Sequence, residues 1–188
     1  MKTPTIKEIY KEKAVPGMKK ALGIENPMAL PRLSKIVVNV GVGKILKDQK
    51  RVDEVVESLE ALTGQKVVMT KAKKAIAGFK IREGQEIGAR VTLHGERMWS
   101  FLDRLLNVAL PRVRDFQGLP KNVIDQNGNA NIGIKEHAVF PEIIPEKVVH
   151  FFSFQINVVT TAKNKEEGLA LFRLIGLPLQ GEDMTKNQ

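Results

Sequence analysis

QKVVMTKAKKAIAGFKIREGQEIGARVTLHGERM, residues Gln65–Met98, is the stretch whose reading decides the fold. Its two ends read as strands and its middle does not. Lys66–Thr70 is a short apolar, β-branched run. Residues 86–94 return as a second strand, with Ala89, Val91 and Leu93 alternating against Arg90, Thr92 and His94. That alternation gives one buried and one solvated face. Residues 71–84 between them form a basic loop, with Gly78 and Gly84 as flexible points. Lys71, Lys73, Lys74, Lys80 and Arg82 lie there with no carboxylate before Glu83, and Phe79 falls near the loop tip.

Upstream, LSKIVVNVGVG (33–43) reads as a strand with Ile36, Val38 and Val40 on one face and Lys35, Val37 and Asn39 on the other. Asp48 is placed to cap a helix over 49–63, whose buried stripe is Val52, Val55, Val56, Leu59 and Leu62, and Gly64 ends it. Residues 5–22 have helical spacing, but Pro16-Gly17 predicts a break or restart. Downstream, 96–110 is an amphipathic helix carrying Met98, Phe101, Leu102, Leu105, Leu106 and Ala109, stopped by Pro111. Residues 115–147 are loop-rich, with Asn127-Gly128 as a hairpin signal. SFQINVVTTA (153–162) is an alternating strand, and Asn164 with Glu167 opens a last helix that ends at Gly176.

Strand runs without regular β-α-β alternation imply an α+β fold. The expectation is a mainly antiparallel sheet with helices packed on one face and the other face open for a partner. No repeat or dividing linker is visible, so residues 1–179 are expected to form a single α+β domain, followed by a mobile tail at 180–188.

The charge is localised. The chain of 188 residues carries +9, with +5 in residues 66–97, +5 in residues 1–35, −1 in 36–65 and 0 in 98–188. A surplus so placed points to a polyanion, most commonly a nucleic-acid backbone. One Trp, one Tyr and eight Phe are too few for a protein that stacks successive single-stranded bases. Backbone contacts and the shape of folded RNA fit better. The absence of Cys removes disulfides, thiolate metal sites and thiol nucleophiles. With no long apolar run and no apolar signal region in MKTPTIKEIYKEK, a cytoplasmic location is the simple reading.

Catalytic motifs are weak. Gly41-Val42-Gly43-Lys44 lacks the Ser/Thr that a phosphate loop places after its lysine, so a turn leaving a strand is the better reading. His94, His137 and His150 have no metal-ligand spacing, and Glu136-His137 would point to opposite faces of a strand. No Ser lies in G-x-S-x-G. The chain is therefore expected to be no enzyme and to need no cofactor or metal. Two RNA-contact candidates remain. One is the polar sheet face with Asn39, Arg90, Thr92 and His94, with Gln65 at its edge; the other is the basic loop. An ordinary solvated sheet face would hold the first set equally well.

KIVVNVGVG (35–43), TGQKVVMTKAKKAIAGFKIREG (63–84), IGARVTLHGERMWSFLDRLLNVALPRVRDFQGL (87–119), GIKEHAVFPEI (133–143) and VVTTAKNKEEGLALFRLIGLP (158–178) closely resemble the bacterial ribosomal protein L-five family. The likeness runs in order along nearly the whole chain. It implies a structural protein of the large subunit, cytoplasmic and ribosome-bound, that helps install 5S rRNA in the central protuberance beside proteins L-eighteen and, in many bacteria, L-twenty-five. The family's sheet face binds 5S rRNA, which carries over onto Asn39, Gln65 and Thr92, and onto Arg90. His94 is included although the family has Arg there. The family's basic loop approaches P-site tRNA, which maps to Lys71, Lys73, Lys74, Phe79, Lys80 and Arg82. Its outer region, within residues 110–147 here, meets small-subunit protein S-thirteen. Further departures are Gln117 in DFQG for DFRG, IDQNGN for FDGRGN, Val67 for a usual Pro, and HFFSF at 150–154. A free-standing RNA-binding regulator or RNA chaperone would share the charge pattern and is the alternative.

Overall fold

The computed structural model describes residues 4–43, 45–46, 48–144, 148 and 150–180. Its main elements are α1 (Ile6–Ile9), α2 (Val15–Leu22), β1 (Leu33–Gly41), α3 (Gln49–Thr63), β2 (Val68–Lys71), β3 (Glu86–Leu93), α4 (Gly95–Arg104), β4 (Ala130–Ile134), β5 (Phe154–Thr160) and α5 (Lys165–Ile175). The five strands pair in the order β2-β3-β1-β5-β4 in an antiparallel sheet, so the fold is α+β. The three central strands and the edge strand β4 each have one buried side. Ile36, Val38 and Val40, then Ala89, Val91 and Leu93, then Phe154, Ile156, Val158 and Thr160, then Ala130, Ile132 and Ile134 are buried. Apart from the buried Gly88, their alternate neighbours are exposed or half-buried, as period-two side-chain placement requires.

The chain divides into two compact units: one from Met1–Ile36, His94–Ile132 and Asn157–Gln188, the other from Val37–Leu93 and Gly133–Ile156. In the first unit the N-terminal helix opens on a capping box, in which the Thr5 hydroxyl accepts the Glu8 N–H and the Glu8 carboxylate accepts the Thr5 N–H. Pro16 does not break it. A π-helical turn, Tyr10–Ala14, joins α1 to α2 and closes with the Val15 N–H donating to the Tyr10 carbonyl. The same device recurs after α4, where the π turn Leu105–Ala109 closes from the Leu110 N–H to Leu105, immediately before Pro111. A proline ring crowds the carbonyl four residues back and brings no N–H. A wider turn just ahead of it shifts that carbonyl and lets the helix continue. Pro111 then lies in a short 3₁₀ turn, Leu110–Arg112, and the chain turns extended at Val113.

The N-terminal helix packs on α4 through the Ile6 N–H to the Asp103 carboxylate (3.1 Å), the Lys7–Glu96 ion pair and the Tyr10–Trp99 rings with centroids 5.2 Å apart. The Asn127-Gly128 signal forms a tight turn. The Asp125 carboxylate accepts the N–H groups of Asn127 and Asn129 at 2.9 and 2.8 Å and the Asn129 amide at 3.0 Å. Burial would raise that carboxyl, but the hydrogen bonds outweigh it and hold Asp125 below the usual carboxylate range.

In the second unit α3 runs as the sequence implies. The Asp48 side chain accepts the Arg51 N–H at its start, and Gly64 turns left-handed (φ 63°) at its end. Val52, Val55, Leu59 and Leu62 are buried, while Val56 is half-buried. The helix packs on β3. The second strand begins two residues later than expected, at Val68. It pairs Val68 with Arg90, Met69 with Ala89 and Thr70 with Gly88, with an irregularity between Thr70 and Lys71. The residues before it are engaged elsewhere: the Val67 N–H donates to the Glu60 carboxylate at 3.1 Å. Gly41–Gly43 leaves β1 as expected of a turn, with Val42 buried and its N–H bonded to the Ile87 carbonyl (3.0 Å). Lys44 lies outside the described residues, as does the tail beyond Gln180.

The three Phe of HFFSF separate. Phe154 enters the core, Phe151 is exposed, and Phe152 stacks on His137 with centroids 4.0 Å apart. His137 is buried, and its Nδ1 accepts the Phe152 N–H at 3.4 Å. Burial lowers its pKa, and a protonated ring could not accept that bond. Because the folded-state pKa is depressed, this group's stabilisation is full above the unfolded value of ~6.5 and is lost as pH falls through the lower folded value. Melting curves from about pH 7.5 down to about pH 5.5 are expected to show a fall in Tm that His137→Phe flattens. Equal slopes for both proteins would remove His137 from the acid response.

Candidate nucleic-acid interface

Asn39 and Arg90 are exposed and Thr92 is half-buried on the open side of β1 and β3, each flanked by buried neighbours that fix the strand's facing. Gln65 joins them through its side chain. Once α3 ends at Gly64, the Gln65 Nε2 donates to the Thr92 carbonyl at 3.0 Å. The Thr63 hydroxyl donates to the Leu59 carbonyl (2.6 Å) and to that of Gln65 (3.3 Å), holding the main chain at the same point. The tether orients the Gln65 amide and leaves its Oε1 as an acceptor. Val68, opposite Arg90 in the register, adds an exposed apolar side chain that the strand pattern alone does not flag.

His94 is not a strand residue. β3 ends at Leu93, and His94 occupies the N-cap of α4 without making a side-chain cap. It belongs to the first unit, whereas Asn39, Gln65, Arg90 and Thr92 belong to the second. The alternation of β3 runs one residue past the last ladder position, which is why the pattern alone enrolled it. A histidine cap leaves first-turn N–H groups unsatisfied. His94→Asp should therefore raise stability by about 0.5–1 kcal/mol, read as a higher Tm. An unchanged or lower Tm would show that the cap position is not limiting.

Residues 72–85 connect β2 to β3 and carry their own main-chain bonding. Ala72 and Gln85 are linked by the Ala72 N–H to the Gln85 carbonyl (2.8 Å), and Ile76 and Ile81 exchange both bonds at 3.0 and 3.2 Å. Ala77–Phe79 forms a single 3₁₀ turn at the tip, closed by Lys80 in the left-handed region (φ 54°, ψ 35°). Lys71, Lys73, Lys74, Lys80 and Arg82 are all exposed, and Phe79 is 75% exposed. Among the described residues no ion pair involves any of these five cations. The hairpin thus presents five exposed cations against one carboxylate, Glu83, together with the exposed Phe79 ring.

Within residues 110–147, Gln117 and Asn127 are exposed in the first unit. Leu119 ties this stretch to the chain's end: its N–H donates to Pro178 (2.7 Å) and its carbonyl accepts the Gln180 N–H (2.8 Å). Glu136 is exposed while His137 is buried against Phe152, so the pair does not converge on a common site.

An open polar sheet face beside a basic hairpin is the surface of a protein that meets a polyanion such as RNA. Comparison with known proteins narrows the class. The family model for ribosomal protein L5 matches residues 26–82, and the model for the C-terminus of the same ribosomal family matches residues 86–179. The chain is 49% identical over 175 residues to the large ribosomal subunit protein uL5 of Rubrobacter xylanophilus, covering 93% of this chain and 97% of that one. It is 51% identical to the uL5 of Halothermothrix orenii over 171 residues, 91% of this chain and 96% of that one. With the uL5 of Desulfotalea psychrophila it shares 47% identity over 175 residues, 93% and 98% of the two chains. The chain belongs to the ribosomal protein L5 family. It is a structural, non-enzymatic protein of the large ribosomal subunit, ribosome-bound in the cytoplasm.

Proposed function

We propose that the open sheet face binds 5S rRNA and helps to hold it in the central protuberance of the large subunit. Asn39, Gln65 and Thr92 meet sugar hydroxyls and base edges, and Arg90 meets phosphate. His94, at the start of α4, is an auxiliary contact. Lys71, Lys73, Lys74, Phe79, Lys80 and Arg82 approach P-site tRNA. Surface within residues 110–147 meets small-subunit protein S-thirteen, and L-eighteen, with L-twenty-five where it exists, shares the 5S rRNA. The observation that carries this reading is the Gln65–Thr92 hydrogen bond. A merely solvated face has no use for an oriented glutamine amide; a surface that reads hydroxyls and base edges does.

Binding of purified protein to 5S rRNA tests it. If ~5 phosphates are engaged, log affinity should fall with log salt at a slope between about −3.5 and −4.5. Gln65→Ala and Thr92→Ala should each weaken binding by about 1–2 kcal/mol. A flat salt response, or wild-type affinity in both variants, would contradict the reading.

A further inference from the structure

The open face holds a shallow depression of which the contacts above use only Asn39. It measures about 510 Å³ and is lined by Asn39 and Gly41 of β1, Gly133 and Ile134 of β4 with Lys135 beyond it, and Ser153, Phe154 and Gln155 at the start of β5. All of these residues belong to the second unit. Strand alternation explains how it forms. Residues 39, 41, 133 and 155 share the open side, Lys135 and Ser153 line the hollow from just outside the strands, and all six are exposed, whereas Ile134 and Phe154 are buried and back the floor. β5 lies between β1 and β4, so Gln155 is flanked by strands that each contribute a glycine. A Cβ placed on Gly41 or Gly133 would meet nothing within 4 Å, so these two absent side chains open the hollow. Its lining offers two carboxamides, one hydroxyl and one ammonium, and no carboxylate.

We infer that this depression receives a single unstacked nucleotide of the bound RNA, its base edge paired with Asn39 and Gln155 and its phosphate on Lys135. Resting on the 5S rRNA reading, the inference adds where and how one nucleotide is read. A carboxamide offers a donor and an acceptor side by side, which matches a base edge; in an RNA duplex the Watson–Crick edge is engaged by its complement and the deep, narrow major groove withholds the other. Among the described residues that line the hollow, the one aromatic side chain, Phe154, is buried beneath it. The base is therefore held by its edge instead of being stacked. The volume lies within the roughly 300–1,000 Å³ of small-ligand sites.

The test uses Gly133→Val, which fills the hollow where there is space and suits a strand, and Gln155→Ala, which removes one amide from an exposed position. Melting curves confirm that both fold. Each is expected to weaken 5S rRNA binding about 5- to 30-fold, comparable to one mismatched contact. Acylation of RNA 2′-hydroxyls should show one unpaired nucleotide protected by the wild-type protein and exposed again with either variant, while the remaining footprint persists. Arg90→Ala serves as the comparison, since it lies on the same face outside the hollow. If Arg90→Ala weakens binding but Gly133→Val and Gln155→Ala bind within about twofold of wild type with an unchanged footprint, the pocket is overturned and the sheet-face reading stands. A weakening spread over the whole footprint would also overturn it. If the wild-type protein does not select 5S rRNA at all, the parent reading fails first.

Discussion

Replacing Gly168 with valine is expected to destabilise the protein by about 3 kcal/mol, the upper end for overpacked sites. A Cβ there would lie 2.4 Å from the Gly128 Cα, 2.5 Å from its carbonyl oxygen and 2.8 Å from its carbonyl carbon. These are main-chain atoms, so no side chain can rotate away. Nor is the Gly128 main chain free to retreat. It sits at φ 74°, its N–H donates to the Asp125 carbonyl (3.1 Å), and its carbonyl accepts the Thr160 hydroxyl (2.9 Å). The N-terminal part of α5 is thus seated directly on the 125–129 turn. Gly168→Ala places the same Cβ and should already be clearly destabilising, with valine adding its branches. Chemical denaturation reads the effect, and a loss below about 1 kcal/mol in Gly168→Val would mean that helix and turn can separate at little cost.

The second large effect is on RNA. Substituting Lys73→Ala, Lys74→Ala and Lys80→Asn together is expected to weaken tRNA placement on assembled ribosomes at least about tenfold and to leave 5S rRNA binding within about twofold. The substitutions should not unfold the hairpin, because its closure rests on main-chain bonds at Ala72–Gln85 and Ile76–Ile81. Asparagine is chosen at Lys80 because it tolerates the left-handed conformation found there. Each cation that meets a phosphate contributes roughly 0.7–0.9 to the salt slope, so three lost contacts should lower the slope for tRNA by about 2–3. If isolated 5S rRNA binding collapsed with this variant, the hairpin and the sheet face would not be separate surfaces.

Local chemistry made much of the architecture legible in the sequence. Asp48, the apolar stripe and Gly64 delimit α3 because each satisfies a distinct requirement of a helix end or face. The alternation of Ala89, Val91 and Leu93 against Arg90 and Thr92 gives both the strand and its open side. What escaped depends on competition between distant groups. Pro16 should stop a helix unless the preceding turn can widen, and that widening leaves no composition signature. Lys66 and Val67 look like strand, but the Val67 N–H goes to Glu60 and the ladder starts at Val68. His94 fits the alternation, yet the helix start claims it. The depression was half visible. Gln155 alternates with core residues as plainly as Asn39 does, but only the strand order, with β5 beside β1, brings the two amides to one hollow. Strand order is set by long-range pairing, which a linear pattern does not carry.

A sheet face that reads hydroxyls and base edges should prefer one folded RNA over others. The most direct test is competition: labelled 5S rRNA bound to the purified protein at about 150 mM salt, challenged with excess tRNA and with an unrelated structured RNA. 5S rRNA is expected to stay bound against both competitors, and Thr92→Ala to erode this preference more than it erodes binding to the unrelated RNA. Equal displacement by every RNA would contradict it, leaving a basic surface without selectivity.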